Sequence, residues 1–153
     1  MNIIFILKNM NNNKKIEWED RLSVGIKLID DQHKNLFATI NELIDIINVI
    51  SKAEKSATEK KLDGIINQLM AYKRFHFATE ERYFKEFNYE KADDHIFKHQ
   101  SFDKKIDDIR KKNESDVFSF AFELVDFMED WLIGHLMTTD QEYKECFKVH
   151  GLK

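Results

Sequence analysis

The chain holds 153 residues at formal charge −4, with 42% apolar and 34% charged residues, a balance that gives one amphipathic domain enough apolar surface for a single core. Lysine and glutamate are interspersed without a basic stripe, and no apolar stretch approaches the about 18 residues of a membrane span, so neither nucleic acid nor a membrane is expected as a partner. The single cysteine, Cys146, excludes an intrachain disulfide and thiolate-built metal clusters and favours a reducing, cytoplasmic setting.

With no proline and four glycines, turn punctuation is sparse and the apolar residues rarely alternate strictly, which reads as an all-α fold. Residues 1–14 are expected to form a poorly ordered tail ahead of a domain over 15–150. The apolar run Ile3 to Leu7 is too short for a secretory core and lacks a basic flank and a cleavage site, and Met10 offers an alternative start. From Ile16 to Ile29 the apolar residues lack helical period, and an extended arm is expected. The first helix is expected from Asp30 or Asp31, with His33, Leu36, Phe37, Ile40, Ile44 and Ile47 on one stripe.

Ser56 and Glu59 have the spacing of a capping box. The helix it would open carries Leu62, Ile65, Ile66, Leu69, Lys73, His76, Phe77, Glu80, Phe84 and Phe87 on one face. A buried, unpaired carboxylate costs several kcal/mol, so Glu80 on that face requires a basic partner or a cation unless the stripe widens and leaves it solvated, as its neighbour Glu81 is expected to be. Asn88 and Tyr89 break the pattern. Asp93 or Asp94 is expected to cap a third helix with the stripe His95, His99, Phe102, Ile106 and Ile109. After the polar run Asn113 to Asp116, a fourth stripe carries Val117, Phe120, Ala121, Leu124, Met128, Trp131, Leu132, His135 and Thr139, with Asp140 one residue beyond.

Five of the six histidines thus fall on apolar stripes, and only His150, an expected exposed bystander, does not. His76 with Glu80, and His95 with His99, are spaced i, i+4 and share a helix face. The first and third helices carry these residues near their N-terminal ends, the second and fourth near their C-terminal ends. In an up-down-up-down four-helix bundle those ends meet at one level, where imidazoles and carboxylates form a metal-ligand set. Asp140 fits least well: five residues place it roughly 140° around the helix from His135. Either a π-type turn intervenes, or the short aspartate reaches in from the flank.

Val24-Gly25-Ile26 with Ile29-Asp30-Asp31-Gln32-His33, His76-Phe77-Ala78-Thr79-Glu80-Glu81, His95-x3-His99, and Trp131-Leu132-Ile133-Gly134-His135 with Asp140 closely resemble the hemerythrins, in particular the single-domain bacteriohemerythrins. The resemblance spans roughly Glu17 to Tyr143. One departure is the turn near Tyr89, where relatives often have proline and this chain has none, leaving the start of the third helix less sharply fixed. The resemblance implies two Fe ions bridged by Glu80, Asp140 and a solvent-derived oxygen. His95, His99 and His135 would complete one iron; His33 and His76 would bind the other, which is one ligand short and open to dioxygen. Phe77, Leu132 and Leu136 would wall an apolar oxygen pocket, although both leucines serve equally as core residues. Trp18, Gln32, Trp131 and Tyr143 would stand behind the ligands.

Reversible dioxygen binding without enzymatic turnover, for storage or for delivery to an oxygen-consuming enzyme, is the function this resemblance implies. Two alternatives share the fold. One is a sensor acting through a separate partner, since the length leaves no output domain; the other is a di-iron enzyme handling peroxide or nitric oxide or repairing iron centres.

Overall fold

The computed structural model describes residues 14–49 and 55–153; the expected N-terminal tail, apart from Lys14, lies outside them. Four helices make up the domain: α1 (Lys27–Val49), α2 (Lys55–Glu86), α3 (Ala92–Lys112) and α4 (Val117–Val149). Short connections turn each helix back on the last. α2 packs against α1, α3 and α4, and α4 also contacts α1 and α3. Among the described residues there is no strand, and the all-α four-helix bundle expected from periodicity is what forms.

The arm is only partly extended. A 3₁₀ turn spans Asp20–Leu22, and α1 begins at Lys27, ahead of the expected Asp30 or Asp31. Asp30 lies in the first turn of α1 and reaches back along the chain: Oδ1 accepts the Val24 N–H at 2.9 Å and Oδ2 accepts the Ser23 hydroxyl at 2.6 Å. Between them Gly25 takes φ +68°, a conformation a side chain disfavours. Val24, Ile26 and Ile29 are all buried, but they belong partly to a turn and partly to a helix, so no single period joins them.

At the other helix starts the expected caps fare differently. The backbone of α2 is helical from Lys55, so Ser56 lies inside the helix; the expected capping box rests on the Ser56 side chain, outside the described set. Lys91 occupies the cap position of α3 but its side chain does not cap the helix, pairing instead with Glu142, while Asp93 and Asp94 sit within the first turn. There their charges favour the exposed amides of the N-terminus without capping them. Asp116 caps α4, accepting the Phe118 and Ser119 amides at 3.1 and 3.2 Å. The turn before α3, lacking proline, is fixed instead by Asn88 at φ +49° and by the Tyr89 N–H donating to the Phe84 carbonyl at 2.9 Å. This is a helix stop of the left-handed type that asparagine tolerates.

The buried apolar residues divide into two clusters. The larger runs along most of the bundle and includes Leu36, Phe37, Leu69, Phe77, Phe102, Leu132 and Leu136. The smaller gathers Val24, Ile26, Ile29, Phe84, Tyr89, Tyr143 and Phe147 at one end. In sequence, His33, His76, Glu80, His95, His99, His135 and Asp140 fall between members of the two clusters on their own or facing helices, forming a buried polar layer with apolar packing on both sides.

Asp30→Ala would leave the buried Val24 N–H without its acceptor and free the arm. Loss of about 2 kcal/mol of unfolding free energy in a denaturant titration is expected, the size of an unsatisfied buried donor.

Candidate metal centre

Seven side chains from the four helices meet in this layer, and all are buried, with Glu80, Asp140 and His33 at 0% exposure. They form two groups of potential cation ligands: His33, His76, Glu80 and Asp140 on one side, and Glu80, His95, His99 and His135 on the other. In the first group the Nε2 atoms of His33 and His76 face each other at 3.1 Å. Glu80 Oε1 lies 3.5 Å from His76 Nε2, and Asp140 Oδ2 lies 3.3 Å from His33 Nε2. In the second, His95 and His135 present their Nε2 atoms to each other at 3.1 Å. Glu80 Oε2 stands 3.1 Å from His99 Nε2. Asp140 Oδ1 stands 3.0 Å from His135 Nε2 and 3.3 Å from His95 Nε2. Glu80 therefore places one oxygen in each group, and Asp140 belongs to the first while its Oδ1 lies against two histidines of the second.

These spacings suit a cation. Two ligands about 2.1 Å from one ion and at right angles lie about 3.0 Å apart, the range found here. Hydrogen bonding alone leaves the layer unsatisfied: Glu80 Oε2, His99 Nε2 and both Asp140 oxygens are buried without a hydrogen-bond partner. Such atoms are costly unless a charge is supplied.

α4 is an unbroken α-helix through His135 and Asp140. No π-type turn intervenes, and the short Asp140 side chain reaches in from the flank while His135 spans from the centre of the face. Thr138 bonds back to the Gly134 carbonyl at 2.8 Å and the Gln141 side chain to the Leu136 carbonyl at 2.9 Å, both without interrupting the helix.

The side chains behind this layer hold it in place. His76 Nδ1 faces Gln32 Oε1 at 3.0 Å, and the Tyr143 hydroxyl donates to Glu80 Oε1 at 2.6 Å. Trp18 stacks on His33 at 6.3 Å and Trp131 on His135 at 4.1 Å. Phe77 lies flat against His99, ring centroids 3.6 Å apart, and 5.9 Å from His76. Leu132 and Leu136 are buried in the larger cluster with it. His150 is exposed and stacks on Phe87, away from the layer.

Glu81 is the residue that sequence reasoning misplaced. Its side chain keeps 38% exposure, yet Oε1 lies 2.9 Å from His99 Nδ1. Nothing in the spacing along α2 signals that contact, because it depends on how α3 is rotated against α2.

The charges in the layer oppose one another. Burial and Asp140 push the Glu80 carboxyl up, but His76, His95 and His99 outweigh them and hold it below the usual range. Asp140 is likewise held well below it, by His135, His33 and His95 against the effect of burial. Burial drives His76 down to about 4. His95 is raised to about 9, because the negative charges of Asp140 and Glu80 close to its Nε2 outweigh its burial.

Fold and layer together define a four-helix bundle with side chains between its helices able to hold a metal ion. The pattern of the hemerythrin HHE cation binding domain matches residues 24–147. A bacteriohemerythrin of Clostridium acetobutylicum is 32% identical over 127 residues, covering 82% of this chain and 96% of its own. One from Stenotrophomonas maltophilia is 28% identical over 133 residues, 87% of this chain and 82% of its own. A hemerythrin-like protein of Naegleria gruberi is 25% identical over 127 residues, 83% and 89% respectively. The chain belongs to the hemerythrin family.

Before a cation enters, His95 with its pKa of about 9 carries a proton at pH 7, whereas His76 at about 4 is neutral. A cation takes the place of that proton, so loading at pH 7 should release protons, seen as acidification of an unbuffered solution. Apparent affinity should rise as pH climbs toward the pKa of His95, about 9, and level off above it.

Proposed function

We propose that this protein binds dioxygen reversibly at a pair of iron ions, for storage or for delivery to an oxygen-consuming enzyme. The observation that carries the reading is the unequal share of histidines around two carboxylates that touch both sides: three histidines on one side, two on the other. Two irons would be held by Glu80 and Asp140 together, one also by His95, His99 and His135 and the other by His33 and His76, which would leave the second with fewer protein ligands. Iron held there would supply electrons to dioxygen on binding and take them back on release.

The protein's own part is to hold the donors and keep water out. Five neutral imidazoles and only two carboxylates stabilise the oxidised metals less than a carboxylate-rich set would, which suits binding over committed oxidation. Ferritin-like oxidases carry Glu-x-x-His on two helices, and this sequence has no such motif. Phe77, Leu132 and Leu136 wall the open position, and a dry apolar wall denies protons to the bound gas. Among the described residues no helix is long and apolar enough to cross a membrane, and the free Cys146 suits a reducing, cytoplasmic compartment.

The test is an absorption spectrum of the reduced protein before and after air, cycled, with iron counted per chain. Reversible change with two irons supports the reading. Catalytic loss of peroxide or nitric oxide at a useful rate would replace it with an enzymatic one, and zinc without iron in protein purified from its native host would overturn it.

Glu80→Gln keeps a good helix former but removes a charge shared by two cations. Loss of at least one iron per chain is expected by metal analysis; full iron content and an unchanged oxygen spectrum would show that Glu80 does not bridge.

A further inference from the structure

The side chains behind the ligands are not the same on the two sides, and every difference has the same sign. On the three-histidine side, Glu81 Oε1 receives His99 Nδ1 at 2.9 Å. A carboxylate accepting an imidazole N–H makes the opposite nitrogen a stronger donor. On the two-histidine side, His76 Nδ1 meets the neutral amide oxygen of Gln32 at 3.0 Å. That amide is fixed as an acceptor, because its nitrogen donates to Thr79 Oγ1 at 3.2 Å while Thr79 itself donates to the Phe75 carbonyl at 2.8 Å. His33 Nδ1 is buried with no partner at all; Trp18 stacking, not a hydrogen bond, sets that ring.

Glu80 adds to the bias. Oε1, turned toward the two-histidine group, shares its charge with the Tyr143 hydroxyl at 2.6 Å. Oε2, turned toward the three-histidine group, has no hydrogen bond.

We propose that Glu81, Gln32 and Tyr143 make the two metal positions electronically unequal, directing negative charge to the three-histidine position so that its iron gives up an electron at the lower potential. The two-histidine position stays the weaker donor set, in keeping with its role as the place where the gas enters. This inference rests on the di-iron reading above.

The experiment is an anaerobic potentiometric titration of the iron-loaded protein at an electrode, following the two one-electron oxidations by absorbance and electron paramagnetic resonance. Glu81→Gln keeps a hydrogen-bonding side chain but removes the charge behind His99; the lower step should rise by about 59 mV, a tenfold change for one electron, the lower end of second-shell effects on metal sites. Gln32→Glu places a charge behind His76 and should lower the upper step. Both variants then narrow the gap between steps, while the mean potential moves up in the first and down in the second. A general loosening of the fold cannot give opposite signs.

A calorimetric titration of metal-free protein with Co²⁺ gives a second readout independent of redox chemistry. Glu81→Gln should weaken one of the two binding events about tenfold and spare the other. Unshifted potentials in Glu81→Gln, shifts of the mean in the same direction in both variants, or equal weakening of both Co²⁺ events would overturn the inference. Wild-type protein that fails to hold two irons would instead overturn the di-iron reading itself.

Discussion

Two carboxylates, Glu80 and Asp140, sit at 0% exposure in the middle of a helical bundle, and their charge is the constraint around which the remaining structure is arranged. Burying an ionised carboxylate is expensive, and removing that expense requires positive charge within a few ångströms. The imidazoles beside them supply it unequally, because burial drives His76 down to about 4 while the two carboxylates raise His95 to about 9. A fold that holds both carboxylates ionised in its core, with His76 kept neutral beside them, is one that a cation would stabilise. The facing Nε2 pairs say the same thing: at 3.1 Å, His33 and His76 can share at most one proton, whereas a metal accepts both lone pairs.

Topology turns four local patterns into one site. On α2 and α3 an i, i+4 pair puts two donors on one face, a consequence of helical period alone. Alternating helix direction then brings the N-terminal turns of α1 and α3 level with the C-terminal turns of α2 and α4. The apolar clusters on either side fix that level: Ile29, Phe84 and Tyr143 pack on one side, Leu36, Phe77 and Leu132 on the other. Sliding any helix along its axis would carry an ionisable group into one of those clusters, so the packing that excludes water also sets the register of the donors.

The helices, their buried faces and six of the seven side chains in the layer were legible in the sequence because each depends on periodicity within one element; Asp140 lay off its stripe and entered through the family resemblance. What escaped depends on contacts between elements or on side chains that bend back along the chain. Asp30 reads as a cap ahead of a helix, but it caps from inside α1, bonding Val24 and Ser23 across a glycine turn. Asp93 and Asp94 read as caps, and only their position in the first turn of α3 remained of that. Glu81, beside Glu80, reads as solvated, since nothing along α2 reveals that α3 brings His99 to it. Asp140 shows the opposite case: its awkward spacing from His135 was visible, and the resolution lay in side-chain length, because aspartate is short enough to act from the flank of a regular helix.

Lys73 decides whether Glu80 could be explained without a metal. It shares the α2 stripe with Glu80 and is buried, so it is the cation that a purely structural ion pair would use. Its ammonium instead pairs with Asp103 on α3, and it lies 5.2 Å over the Phe77 ring and 5.8 Å over Phe102. Phe77 in turn stacks on His99, so an aromatic layer separates the lysine from the donors. A lysine ammonium turned inward would compete with a metal for the same oxygen, and its attraction to Glu80 would grow in the low dielectric of the core. Turning it outward to a half-exposed aspartate, over two rings that attract its charge, keeps this ammonium away from the Glu80 oxygens.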